Sequence, residues 1–256
     1  MTGLSFFDCN VSYGRPSVPS PRQAVGPDEL LREMDWCGVG EALVTNAHQR
    51  HDDAVTGNRL VVEECAKRDR LHPAWVLMPH QTGEFPTPDE LPAVLARDGV
   101  RALWAFPSRI RYLLDANTFG PTFEVLSALH VPLLLSLGES SGRLSGWDLV
   151  GALLSEYPRL TIVAADQDCW GQDRYFRPLV ERYPNLYFDV ADFELAGGYE
   201  SYCSRYGPDR MLFATGFPGL CMGGPVLTLV HANIRAEDKA AIAGGNLRRL
   251  LSEVKL

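Results

Sequence analysis

The chain has 256 residues, 46% of them hydrophobic and 22% charged, a composition that excludes a disordered or fibrous protein. The formal net charge is −8, and no run of Lys or Arg supplies the basic patch that nucleic acid or an anionic membrane would need. The expected partner is therefore a small-molecule substrate, with no nucleic acid and no membrane.

Six cysteines stand at positions 9, 37, 65, 169, 203 and 221 without a Cys-x-x-Cys pair. A chain of this length builds a core without disulfide staples, so reduced thiols are expected. The opening MTGLSFFDCN lacks the basic and apolar regions of a secretory leader. No apolar stretch reaches the roughly eighteen residues that span a bilayer, and the expected location is cytoplasmic.

Eight short apolar runs recur along the chain: Leu4–Asp8, Glu41–Asn46, Pro73–Met78, Val100–Phe106, Pro132–Leu137, Thr161–Ala165, Leu186–Val190 and Met211–Thr215. Runs such as VPLLLSL are apolar at nearly every position, as strands covered on both faces are. The segments between them carry helical patterns. Pro27 opens the first, Leu30, Leu31, Met34 and Cys37 form its stripe, and Gly38 ends it. Ser145 with Asp148 reads as a capping box ahead of Trp147, Val150 and Leu154. Phe176, Leu179, Val180 and Tyr183 repeat at helical spacing, with Asp173 placed to favour the helix N-terminus. The tail from Ala236 reads as two helical pieces broken at Gly244-Gly245-Asn246. This alternation predicts a single (β/α)₈ TIM barrel over residues 1–256, with C-terminal helices from about 236 packing on the barrel. An open doubly wound sheet is the alternative, but no GxGxxG loop follows the first strand.

In a barrel of this kind the chemistry sits where the strands end. The first strand offers Asp8, Asn10 and Ser12 there; the second His48 and His51; the third His80; the fourth Arg109 and Arg111. The fifth offers Ser136 and Glu139, the sixth Asp166, Asp168 and Trp170, the seventh Asp189 and Asp192, and the eighth Thr215 and Gly216. Asp189 and Asp192 read as caps or solvated loop residues. His72 reads as a loop residue, and Arg210 as a partner in a structural ion pair. Trp104 and Trp170 read as packing or as pocket lining.

Several segments resemble the amidohydrolase-related family. FFDCNVSYG is similar to its first-strand Asp-x-His-x-His motif, and EYPRLTIVAAD to its segment leading into a strand that ends in His. RYGPDRMLFATGFP resembles Gly-x-Asp-Arg-x-Leu-Phe-Gly-Ser-Asp-x-Pro, and IAGGNLRRLL the terminal Gly-Asn-Ala-x-Arg-Leu helix. The resemblance implies an amidohydrolase-like TIM barrel and, in many members, a zinc or manganese ion that activates water. It also implies hydrolases or non-oxidative decarboxylases of small, often aromatic or carboxylated substrates. Family members often pair, so a homo-oligomer is among the expectations.

Carried over residue by residue, the family's metal ligands are replaced. The two first-strand histidines fall on Asn10 and Ser12, the fifth-strand histidine on or near Ser136, the sixth-strand histidine on Asp166 and the eighth-strand aspartate on Gly216. Three readings follow. The first is a metal-independent hydrolase or C–C lyase acting on a small carboxylated or cyclic substrate. Asp8, His80 and Asp166 would be its catalytic groups, and Asn10, His48, Arg109, Arg111, Ser136, Glu139 and Trp170 would bind substrate. The second is an oxygen-ligand site for Mg²⁺, Mn²⁺ or Ca²⁺ built on Asp8, Asn10 and Asp166, with zinc not expected. The third is a degenerate barrel that binds a ligand or partner without catalysis. For Asp8, hydrogen bonding to backbone amides of a neighbouring loop stands level with catalysis.

Overall fold

The computed structural model describes residues 3–16, 18–166 and 172–256. Among these residues eight parallel strands follow one another in chain order around a barrel. They are β1 (Phe6–Tyr13), β2 (Val39–Asn46), β3 (Leu71–Pro73, resumed at Trp75–Val76), β4 (Leu103–Ala105), β5 (Leu133–Ser136), β6 (Ile162–Ala165), β7 (Leu186–Asp189) and β8 (Met211–Leu212). Each overlaps one of the eight apolar runs. Strands β1 to β3 pair in sequence, as do β3 to β8. Strand β3 passes from one neighbour to the next at Ala74. Its amide bonds the carbonyl of Val44 (3.0 Å), whereas the amide of Trp75 bonds that of Ala102 (3.2 Å).

The ring closes between β1 and the segment after β8. Cys9 N donates to Phe213 O, Gly216 N to Asn10 O and Ser12 N to Phe217 O, each at 2.9 Å. Val11 and Phe217 form a parallel bridge there. Every residue of β4 to β8 is buried, so side chains fill the interior and the chemistry is confined to the rim.

The helices form where the apolar stripes predict them. In α1 (Pro27–Cys37), Leu30 and Met34 are buried, and Gly38 takes φ 78° to end the helix. In the helix Gly146–Glu156, Trp147, Val150 and Leu154 are buried as expected, but Ser145 makes no side-chain cap bond, so the expected capping box does not form. The helix Asp173–Arg182 buries Phe176 and Val180.

Two expectations are corrected. His72 lies on β3 rather than in a loop, 3.1 Å from Glu41 and packed on Phe7 with centroids 4.9 Å apart. The tail is not broken at Gly244-Gly245. Ala236–Ala240 runs through a π-helical turn, Ala241–Gly245, into Asn246–Ser252. The carbonyl of Ile242 accepts from Phe213 N at 3.1 Å, which ties the tail to β8. Among the described residues no helix is long and apolar enough to cross a membrane.

Candidate active site

Alternation along β1 brings Asp8, Asn10 and Ser12 to its inner side. Asp8 is fully buried, and both its oxygens are engaged. Oδ1 accepts from Asn10 N (2.9 Å) and Thr215 N (3.1 Å), and Oδ2 accepts from the Thr215 hydroxyl. Burial outweighs these hydrogen bonds and raises its pKa to about 7. The contacts are those of a clasp between the first and last strands.

Asn10 sits one step nearer the mouth. Its amide nitrogen donates one hydrogen to Asp166 Oδ1 (2.7 Å) and the other to Asp189 Oδ2 (2.8 Å). Asp189 Oδ2 also accepts from Asp166 N at 3.2 Å. Burial, and secondly the charge of Asp166, push the Asp189 carboxyl well above the usual carboxylate range. Asp189 is thus fully buried in this cluster, not the solvated cap that the sequence suggested. Asp166, at the end of β6, takes φ 58°, a conformation Asp tolerates better than most residues. Its side chain is exposed towards the mouth.

A cavity of about 410 Å³ opens above this cluster. Asn10, Ser12, Arg50, His51, Arg109, Asp166 and Asp192 supply its polar lining, with Phe217, Pro218 and Leu220 on the apolar side. Arg50 lies on the short helix α2 (Ala47–His51), which Asn46 starts with a reciprocal capping box. The guanidinium lies over the Phe106 ring at 4.4 Å from its centroid. Its Nε is buried without a hydrogen-bond partner among the described residues. Burial lowers the Arg50 pKa against the opposing charge of Asp166. His51 is pushed down by burial, then by Arg50 and Arg109.

Arg109 reaches the same cavity from the one-turn helix after β4, Pro107–Ile110. Glu139 holds it: Oε1 accepts from Arg109 Nε at 3.0 Å, and Oε2 accepts from Ser108 N at 2.9 Å and from the Ser108 hydroxyl. Glu139 is itself buried and lies behind the cavity wall.

The structure therefore brings Asn10, Arg109 and Asp166 to one cavity, with Asp8 and Glu139 behind it. Ser12, His51, Asp192 and Gly216, also offered by the strand ends, line it too, whereas His48, His80, Arg111 and Ser136 do not. His48 is exposed and paired with Asp52 (2.9 Å). His80 begins a 3₁₀ turn, His80–Thr82, with Nδ1 buried and without a hydrogen-bond partner among the described residues. Arg111 is an exposed, left-handed helix terminus. Ser136 is buried and accepts from Gly138 N at 3.3 Å. Trp170 and Asp168 lie outside the described residues. Trp104 is core, stacked on Phe106 at 5.3 Å. Among the described residues Arg210 makes no ion pair; it donates to the carbonyls of Val180 and Tyr183.

Arg50 and His51 are the lining residues that strand-end reasoning undervalued. The signal for Arg50 was in NAHQRH: a helix capped by Asn46 at a strand end returns its fourth residue over the mouth.

The parallel barrel carries an acidic cluster and two guanidiniums at its C-terminal mouth, the end at which α/β barrels hold their sites. The amidohydrolase family model matches residues 37–252, and the chain belongs to that family. No curated protein matches the chain. Among solved structures, 2,6-dihydroxybenzoate decarboxylase from Rhizobium is 18% identical, with a TM-score of 0.75 over 97% of this chain and 99% of that one. 5-Carboxyvanillate decarboxylase from Sphingomonas paucimobilis is 18% identical, with a TM-score of 0.71 over 98% and 99%. Dihydroxybenzoic acid decarboxylase from Polaromonas sp. JS666, solved with bound manganese and the inhibitor 2-nitroresorcinol, is 17% identical, with a TM-score of 0.74 over 97% of each chain. At these identities the likeness is one of fold.

The cluster at the mouth does not fit a divalent metal as its side chains stand. Among the described residues no three His, Cys, Asp or Glu side chains are grouped to hold one. Between the two carboxylates that converge, position 10 presents an N–H donor, which repels a cation.

Proposed function

We propose that this amidohydrolase-family chain is a metal-independent C–C lyase that removes a carboxylate from a small, carboxylated organic substrate. The observation that carries the reading is Arg50. A half-buried guanidinium, its Nε without a partner among the described residues, lines the same cavity as a carboxylate at the end of β6. Such a cation is suited to bidentate capture of a substrate oxyanion. In the reaction the bond from carbon to the carboxylate breaks, and its electron pair passes to carbon and onto an adjacent oxygen held by Arg50 or Arg109. A proton delivered through Asp166 closes the carbon as CO₂ leaves. A lyase step asks only for a proton carrier and an oxyanion site, and both face one cavity. The decarboxylase activities of similarly folded proteins lend the class further support.

A ligand-binding barrel without catalysis is the second reading. It is favoured by Asp8, the acid of the first-strand motif, whose oxygens are wholly engaged in joining two strands.

The test is a screen of aromatic and aliphatic mono- and dicarboxylates for CO₂ release, repeated with Arg50→Met. Turnover that falls by about 30- to 1,000-fold in kcat/KM in the variant supports the lyase, since losing a buried charge-assisted contact costs about 2–4 kcal/mol. Carboxylates that raise the melting temperature through Arg50 but are never turned over would instead establish the binding protein.

A further inference from the structure

The Asn10 amide stands at the centre of the mouth, and its surroundings have a specific geometry. Its nitrogen is 2.7 Å from Asp166 Oδ1 and 2.8 Å from Asp189 Oδ2. Oxygens that share an edge of an octahedral Mg²⁺ or Mn²⁺ shell lie about 3 Å apart, from metal–oxygen distances near 2.1 Å. Each of the two carboxylate oxygens thus lies within about one such edge of position 10. What differs is the chemistry of the third atom. An amide nitrogen has no available lone pair, and it points two hydrogens at the oxygens a cation would bind. Turned over, the amide would set a third acceptor against two carboxylates, an arrangement that a cation or added protons would have to neutralise.

We infer that the Asn10 side chain takes the role that a divalent cation would have at this mouth. Its NH₂ group supplies the two positive contacts that keep Asp166 and Asp189 together, and it is the group that excludes a metal from the mouth. The pocket is otherwise ready for one. Asp166 and Asn10 line the cavity and so give an entry path. Asp189 is held from behind by the amide of Asp166 (3.2 Å). Replacing the amide with a carboxylate exchanges a donor for an oxygen and leaves three carboxylates grouped at the mouth, the ligand chemistry of a hard cation. This inference does not depend on the lyase reading, since metal occupancy is measured without substrate.

The experiment is a Mn²⁺ titration of the full chain, after chelator treatment, followed by the electron paramagnetic resonance signal of free Mn²⁺. The wild-type chain is expected to leave Mn²⁺ free, Asn10→Asp to take up about one Mn²⁺ per chain, and Asn10→Ser to take up none. Asn10→His provides a second route to a ligand at position 10 if Asn10→Asp does not fold, with folding of each variant checked by circular dichroism. Two results would overturn the inference. One is a wild-type chain that binds one Mn²⁺ and loses it on Asp166→Asn, which would mean that the amide is a ligand. The other is a folded Asn10→Asp or Asn10→His variant that leaves all Mn²⁺ free.

Discussion

Arg109 is exposed enough to meet a substrate, with 46% of its side chain accessible, yet its direction is set by a carboxylate that is almost inaccessible. Glu139 binds Nε and leaves the terminal guanidinium nitrogens for the cavity. It also fastens the Ser108 amide, and with it the start of the helix that carries Arg109. Glu139→Gln keeps an oxygen acceptor but removes the charge that orients the guanidinium. The expected result is a KM for the carboxylated substrate raised about tenfold, equivalent to about 1.4 kcal/mol, with kcat within about twofold of wild type. Steady-state kinetics decides it: an equal fall in kcat would place Glu139 in the chemistry instead. The sequence named Glu139, Arg109, Asp166 and Asn10 because each follows a strand, and strand ends converge in any barrel. It could not give their partnerships. Asn10 is 156 residues from Asp166 and 179 from Asp189, and no local pattern encodes contacts at such separations. For the same reason Asp8 reads in the sequence as a candidate catalytic acid and Asp189 as a cap or solvated loop residue, although one clasps two strands and the other lies buried beneath an amide.

The strands were legible as elements because burial on both faces writes itself as an apolar run, and all eight runs became barrel strands. Helix ends were less legible where the cap depends on tertiary placement, as at Ser145, which makes no side-chain cap bond. The π-turn at Ala241–Gly245 was illegible in a different way. Two adjacent glycines read as a break because glycine disfavours helix by about 1 kcal/mol. Here, however, they serve a close approach. A Cβ on Gly244 would stand 2.6 Å from the Ser5 carbonyl oxygen and 3.1 Å from Phe7 Cβ, beneath the Arg248 guanidinium. The guanidinium can move; the Ser5 backbone, at the start of β1, cannot do so cheaply. Gly244→Ala is therefore expected to destabilise the protein by about 2–4 kcal/mol despite its better helix propensity. Gly245→Ala, whose Cβ would come no closer than 3.3 Å to Ala240 O, is expected to cost less. Urea denaturation of the two variants checks the ordering, and equal midpoints would show that the tail is free to move away from β1.

At the scale of the whole barrel, the seam between β1 and β8 is where the ring is completed, and Asp8 is the side chain that clasps it. Its pKa of about 7 in the folded protein, raised by burial, compares with about 3.9 in an unfolded chain. The sign follows from proton binding. Below the unfolded value both states hold the proton, and the contribution of Asp8 to stability is complete. Between about 4 and 7 only the folded state holds it, so stability falls as pH rises, by up to about 1.4 kcal/mol per unit for this group. Above the folded value the loss is complete and the dependence flattens. Asp189, also raised by burial, acts in the same direction. His51, whose pKa is lowered mainly by burial, acts in the opposite direction, because its stabilising neutral form is disfavoured as pH falls through the unfolded value near 6.5. Acids whose pKa is lowered, such as Glu41, held by Arg248 and His72, exert their effect below that window. The Asp8 contribution is therefore read as a difference between two proteins. Urea midpoints of the wild-type chain are expected to decline from pH 5 to pH 7.5 more steeply than those of Asp8→Asn, which has no proton to lose at that position. The amide variant still offers an oxygen to the Asn10 and Thr215 amides, so a folded protein is expected for the comparison. Parallel pH profiles would mean that Asp8 is ionised in the folded barrel across this range, and that its three hydrogen bonds outweigh burial at the seam.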